Sequence, residues 1–111
     1  MYENKTFICQ VTNYKIDVLV NADSSYALIN TIECDYKNIN ALLLLIRLMI
    51  DELKSTEIKF IKQFVSFEEW SAYLKENTKW QIDINGLESL LIKCNIDDFI
   101  YSYVRGLGID L

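Results

Sequence analysis

Apolar and polar residues alternate along the first third of the chain. In residues 15–22, KIDVLVNA, isoleucine and valine occupy every second position. An alternation with a period of two is typical of a strand with one buried face. Similar patterns lie at 5–12 and 26–34, and short polar segments separate the three runs. They predict three consecutive strands in an antiparallel meander.

After these strands the apolar spacing becomes helical. Asn38 is a favourable N-cap, and we predict a helix from there to about Lys54. The stripe expected to face the core consists of Ile39, Leu42, Leu43, Leu45, Ile46, Met49, Ile50 and Leu53. A second apolar group, Ala41, Leu44 and Leu48, falls on the opposite side. This side is expected either to pack under another layer or to meet a partner.

The rest of the chain carries specific signals for helix starts and turns. The remaining predicted elements are strands at 57–65, 79–84 and 87–94, a helix at 67–76 and a last helix that Asn95 caps and that Gly106, after Arg105, is expected to stop. Ser66 and Glu69 have the spacing of a capping box, and Asn85-Gly86 favours a two-residue type I′ hairpin. The order βββ-α-β-α-ββ-α predicts an α+β fold, a mainly antiparallel sheet with helices packed on it.

Length and composition favour one domain over residues 1–111. The chain has 51% hydrophobic residues, no proline and three glycines, so we expect no linker and no disordered region. Its longest apolar run, at 41–46, is far shorter than the roughly 20 residues that span a membrane. The first residues read as a strand and not as a targeting segment. We therefore expect a cytoplasmic protein without membrane contact.

The charged and sulfur-containing residues exclude several function classes. The sequence has no histidine, which removes His-dependent catalysis and His-containing zinc sites. A net charge of −5 disfavours binding to nucleic-acid phosphates. Cys9, Cys34 and Cys94 form no CxxC pair and are odd in number, so we expect reduced thiols. No catalytic residue, metal or cofactor is predicted.

This chain resembles small acidic inhibitors and toxin-immunity proteins in its size, its negative charge and its lack of a recognisable set of catalytic residues. The first hypothesis is therefore a non-catalytic binding protein that neutralises a more basic partner, such as a toxin nuclease. The alternative is a homo-oligomeric adaptor, such as a homodimer joined by the second stripe of the first helix; an enzyme or ligand carrier using carboxylates or tyrosine is a third. The predicted partner-binding residues are Leu44, Leu48, Asp17, Asp83 and Asp97.

Overall fold

Strands and helices follow one another in the order that the sequence predicts. The computed structural model describes residues 2–109, with six strands in this part of the chain and mainly antiparallel pairing. The α+β prediction is confirmed. The chain divides into two compact units, Met1–Lys59 (unit 1) and Phe60–Leu111 (unit 2).

Unit 1 consists of a three-stranded meander and one long helix. Its elements are β1 (Glu3–Ile8), β2 (Lys15–Asn21), β3 (Tyr26–Glu33) and α1 (Ile39–Ser55). β2 pairs antiparallel with both neighbours, and a bulge lies between Asp17 and Val18. Alternate residues of β2, among them Ile16 and Val18, are fully buried, and α1 contacts this sheet with its own buried stripe. The period-two pattern therefore places one sheet face in the core.

Helix α1 begins where the sequence indicates. The side chain of Asn38 accepts a hydrogen bond from the amide of Ala41 at 3.1 Å, which confirms the predicted cap. Leu44 and Leu48 are 63% and 62% exposed, so no second layer in the described chain covers them. Ala41 was predicted on their side of the helix but is buried. It sits in the first turn at the border of the core stripe, where a small side chain is readily covered.

Unit 2 contains three antiparallel strands with β6 at their centre. The strands are β4 (Phe60–Val65), β5 (Gln81–Asn85) and β6 (Leu90–Asn95), and β6 pairs with both of the others. A bulge in β5 lies between Ile82 and Ile84. The buried side chains of this unit include Ile61, Trp80, Ile92, Phe99 and Val104.

A helical segment of mixed type follows β4. It begins as α2 (Phe67–Glu69), continues as a π-helical turn (Trp70–Leu74) and ends as α3 (Lys75–Asn77). In the π turn the amide of Lys75 donates to the carbonyl of Trp70, five residues back. Such widened turns are rare and often occur at functional sites. The sequence predicts the segment but not this change of helix type.

The capping box at the start of α2 is present. The amide of Glu69 donates to the Ser66 hydroxyl at 3.1 Å, and the Glu69 carboxylate accepts from the Ser66 amide. We expect Ser66→Ala to lower the free energy of unfolding by ~1 kcal/mol, because the first-turn amide loses its acceptor. Urea denaturation measures this, with Ser71→Ala as the control at an exposed serine of the next turn. Equal stabilities of the two variants would contradict the prediction.

The turn between β5 and β6 differs from the predicted type I′ hairpin. β5 ends at Asn85 and β6 begins only at Leu90, so residues 86–89 form the loop. Gly86 donates its amide to the Ser89 carbonyl, and a Cβ at Gly86 would lie 2.7 Å from that oxygen. Gly86 is therefore required here for this close approach and not for a positive φ, which the I′ turn would need.

The last helix also differs in detail from the prediction. A 3-10 turn (Ile96–Asp98) precedes α4 (Phe99–Gly106), and the side chain of Asn95 makes no capping hydrogen bond. Gly106 is still helical, whereas Gly108 has the positive φ of 81° that ends the helix. Among residues 2–109 no helix has the length and apolar character needed to cross a membrane.

Candidate functional site

A cavity of about 100 Å³ lies within unit 2. The residues that line it are Gln63, Val65, Glu69, Leu74, Trp80, Ile92, Ser102, Tyr103, Gly106 and Leu107. They come from strands β4 and β6, the helical segment 67–77 and helix α4, together with Trp80 just before β5 and Leu107 just after α4. Aliphatic and aromatic side chains form most of the wall, with a few polar groups among them. This composition is typical of small-molecule sites.

The polar groups of the cavity wall have distinct chemical capacities. Gln63 carries an amide that both donates and accepts, and Glu69 carries a carboxylate. One carboxylate oxygen of Glu69 lies 3.0 Å from the Ser66 hydroxyl within the capping box. Ser102 is fully buried, and its oxygen accepts the amide of Lys79 at 2.9 Å. The cavity thus combines an acceptor carboxylate with an amide donor near apolar walls.

A close contact between the π turn and α4 forms one side of the cavity. A Cβ placed on Gly106 would lie 2.9 Å from Cδ2 of Leu74, the last residue of the π turn. Only glycine allows α4 to approach this closely without displacing Leu74. The widened turn, the cavity and Gly106 therefore occur together, and the cavity is the candidate site of this chain.

The opposite face of the unit 2 sheet carries a charge cluster. Asp83 lies between Lys62, at 2.8 Å, and Lys93, at 3.7 Å. The hydrogen bond from Lys62 is the main cause that lowers the pKa of the Asp83 carboxyl. Lys93 also lies over the ring of Phe60, 5.6 Å from its centroid. Asp83 is one of the predicted partner-binding residues, and its side chain is mostly covered and paired within the chain.

The other predicted partner-binding residues lie on separate elements. Leu44 and Leu48 share the exposed face of α1 in unit 1. Asp17, on β2, accepts hydrogen bonds from Thr6 and Thr31, and the Thr6 bond is the main cause that lowers its pKa. Asp97 is exposed in the 3-10 turn of unit 2.

A network of hydrogen bonds links Tyr14 to the segment between β3 and α1. The Tyr14 hydroxyl donates to Asp35 and accepts the amide of Asn38 at 2.9 Å. The amide of Lys37 donates to the same Asp35 carboxylate at 3.0 Å. The bond to Asp35 is the main cause that raises the pKa of Tyr14. The backbone amides ahead of α1 therefore already have acceptors within the chain.

The cysteines are unbridged, and one is deeply buried. Burial raises the pKa of the Cys94 thiol to about 12, so this thiol is a poor nucleophile at neutral pH. Cys9 and Cys34 are partly exposed.

Sequence reasoning missed the cavity residues as a group. Gln63, Ser102 and Gly106 are separated along the chain, and no motif joins them. Glu69 was read only as part of the capping box, which it does form. An indirect signal was the glycine at 106, three residues before the end of the described chain.

The comparison with known proteins gives a fold but not a family. No family model matches the chain, and neither does any curated protein. A crystal structure of a Klebsiella pneumoniae protein assigned as an acyl-CoA N-acyltransferase is similar with a TM-score of 0.55 and 5% identity. The similarity covers 80% of this chain and 68% of that protein. At this identity the likeness shows the fold alone.

This comparison corrects the functional prediction. The chain was expected to be a non-catalytic inhibitor or immunity protein and not an enzyme, and it instead shares its fold with an assigned acyltransferase. The prediction treated the absence of histidine as evidence against catalysis in general. It excludes only mechanisms that need histidine, because carboxylates, amides and hydroxyls also carry out proton transfer and polarisation.

The starts of helices α1 and α4 do not fit the phosphate groups of coenzyme A, the molecule named in the description of the neighbour. Proteins hold phosphates with basic side chains and with free amides at helix N-termini. Ahead of α1, the amides of Lys37, Asn38 and Ala41 already have acceptors in Asp35, Tyr14 and the Asn38 side chain. The Asp35 carboxylate would also repel a phosphate. Asp97 and Asp98 directly precede helix α4, and their negative charge also disfavours an anion at the start of that helix.

Proposed function

We propose that the chain is an acyl-transfer enzyme that moves a short acyl group to an amine. The observation that carries this proposal is the unit 2 cavity, with its apolar wall and its carboxylate and amide groups. An apolar cavity of about 150 Å³ holds a benzene ring. A space of about 100 Å³ therefore suits an acyl group of a few carbon atoms. The acyltransferase-like fold supports the same class of reaction.

The polar groups of the cavity can serve the two requirements of acyl transfer. The amine nitrogen attacks the carbonyl carbon of a thioester, and the Glu69 carboxylate accepts the proton that the amine loses. The side-chain amide of Gln63 donates a hydrogen bond to the carbonyl oxygen while it carries negative charge. The carbon–sulfur bond then breaks, and the proton held by Glu69 passes to the departing thiolate. The products are an amide and a thiol.

The proposed donor is a thioester without a nucleotide. The reason is that the backbone amides of Lys37 and Asn38, ahead of α1, already donate hydrogen bonds within the chain and are not available to a phosphate group. A small donor presents the acyl group to the cavity without placing phosphates against Asp35.

Glu69→Gln tests the proposal, because glutamine preserves the capping box while it removes the carboxylate. The assay follows thiol release from the acetyl, butyryl and octanoyl thioesters of N-acetylcysteamine with simple primary amines as acceptors. We expect the wild-type chain to use the short donors and Glu69→Gln to lower the rate by about 100-fold or more. Glu68→Gln is the matched control, since Glu68 is exposed and absent from the cavity wall.

Three results would contradict the proposal. These are no thiol release above the uncatalysed rate, equal rates for the Glu69 and Glu68 variants, or turnover with acetyl coenzyme A alone. Circular dichroism of both variants establishes that the fold is unchanged.

We also propose that the protein is located in the cytoplasm. The three cysteines are unbridged, as expected in a reducing compartment.

A further inference from the structure

A second cavity, of about 260 Å³, lies in unit 2. Within the described chain it shares no lining residue with the candidate site. Trp80 separates the two spaces, because its side chain lines the candidate site while its neighbours Lys79 and Gln81 line the second cavity. Lys93 lies opposite Gln81, and directly opposed residues of paired strands share a face. The second cavity therefore opens on the sheet face that carries the Asp83 cluster.

Lys79 brings an ammonium group to the second cavity that pairs with no carboxylate among residues 2–109. Its backbone is held in place, because its amide donates at 2.9 Å to the hydroxyl of the fully buried Ser102. The side chain itself is exposed at the mouth of the cavity. A lysine carries three donors and no acceptor, so an ammonium group placed in this way can bind an anion.

Lys93 supplies a second ammonium group, and its position is fixed on two sides. Its Nζ lies 3.7 Å from the Asp83 carboxylate and 5.6 Å from the centroid of the Phe60 ring. Asp83 is closer to Lys62, at 2.8 Å, so that one carboxylate faces two ammonium groups. Its negative charge is therefore shared, and Lys93 keeps part of its positive potential for a further anion.

The rest of the wall restricts which anion fits. The ring of Phe60 forms an apolar surface, and the side-chain amide of Gln81 can donate a hydrogen bond. Asp98 lies in the same wall and adds a negative charge, which repels a doubly charged ligand more strongly than a singly charged one. An apolar wall with a few convergent polar groups is typical of a site for a small organic molecule.

We propose that the second cavity binds a small aromatic monocarboxylate, whose carboxylate group contacts Lys79 and Lys93 and whose ring packs against Phe60. Hydrogen bonds between ammonium groups and a carboxylate are charge-assisted and therefore strong. Two aromatic rings gain from an offset or edge-on arrangement beyond the area that they bury. A cavity of about 150 Å³ holds a benzene ring, so about 260 Å³ holds such a ring with its carboxylate. This site is independent of the proposed acyl transfer, since the two cavities have different walls.

Benzoate is the probe, and heteronuclear NMR spectra of the chain follow its binding. We expect saturable shifts of the amide signals of Lys79, Gln81 and Lys93, with a Kd on the order of 1 mM, as suits so small a ligand. Lys79→Gln should raise this Kd by about tenfold, because a charge-assisted hydrogen bond is lost while the backbone bond to Ser102 remains. Lys75→Gln is the matched control and should leave the Kd unchanged, since Lys75 is an exposed lysine of α3 outside the cavity wall.

Three further ligands test the chemical class at constant ionic strength. Benzoate should bind more tightly than acetate, which lacks the ring, than inorganic phosphate, which is partly a dianion at neutral pH, and than benzylamine, which is a cation. Equal or tighter binding of any of the three would overturn the proposal. It would equally be overturned by equal Kd values for the Lys79 and Lys75 variants, or by a benzoate titration without saturable shifts up to the solubility limit. The same spectra show whether each variant is folded, and none of these readouts depends on acyl transfer.

Discussion

Replacing Phe99 with alanine should lower the free energy of unfolding by about 3–5 kcal/mol, the usual cost of removing a large core aromatic side chain. Phe99 has no exposed surface. Its ring packs edge-on against Trp80, with 5.9 Å between centroids, and lies 5.6 Å from the Tyr103 ring. Alanine would remove both ring contacts and leave a cavity between α4 and the residues that it covers. A loss of this size is a large part of the stability of a small protein.

Urea denaturation followed by tryptophan fluorescence measures this effect, because Trp80 is one of the lost contacts. Tyr101→Ala is the control on the same helix, since Tyr101 is 42% exposed. It should change the free energy of unfolding by less than about 1 kcal/mol. If the two variants were equally stable, Phe99 would not be the centre of the unit 2 core.

Substitutions on the two sides of α1 should lower the free energy of unfolding by very different amounts. Leu45→Ala should cost about 2–5 kcal/mol, because Leu45 is 1% exposed in the core stripe. Leu44→Glu combined with Leu48→Lys should cost less than about 1 kcal/mol, although it replaces two leucines with charges. Both leucines are more than 60% exposed, so neither charge has to leave water.

Thermal and urea unfolding of the two α1 variants distinguish these outcomes. Unfolding of the doubly charged variant would show that Leu44 and Leu48 belong to the core after all. An unchanged Leu45→Ala variant would show that α1 is not anchored by its central stripe.

The features of the fold that arise from local rules could be predicted from the sequence. The alternation in β2 specifies its buried face, because the side-chain period of a strand is two. The caps at Asn38 and Ser66 each accept a hydrogen bond from the amide three residues further along the chain. The spacing that such a cap requires is therefore visible in the sequence. The Asn85-Gly86 signal was misleading because Gly86 serves a close approach to Ser89 and not a two-residue turn.

The candidate site depends on contacts that no local pattern records. Its wall combines Gln63 and Glu69 with Gly106, which is distant from both along the chain, through the packing of α4. The π turn changes the hydrogen-bond spacing by one residue, which the apolar periodicity of so short a segment does not reveal. Strand alternation also cannot predict the bulge that turns the carboxylate of Asp83 toward two lysines.

The network of Tyr14, Asp35 and Asn38 has a consequence for how unit 1 opens. Tyr14 follows the turn between β1 and β2, whereas Asn38 is the cap of α1, 24 residues further along the chain. One hydroxyl thus joins the hairpin to the start of the helix. The amide of Asn38 can exchange with deuterium only when its hydrogen bond to the Tyr14 hydroxyl breaks. We therefore expect fraying of the first turn of α1 to be coupled to opening of the hairpin, so that the Asn38 amide exchanges together with amides of the hairpin.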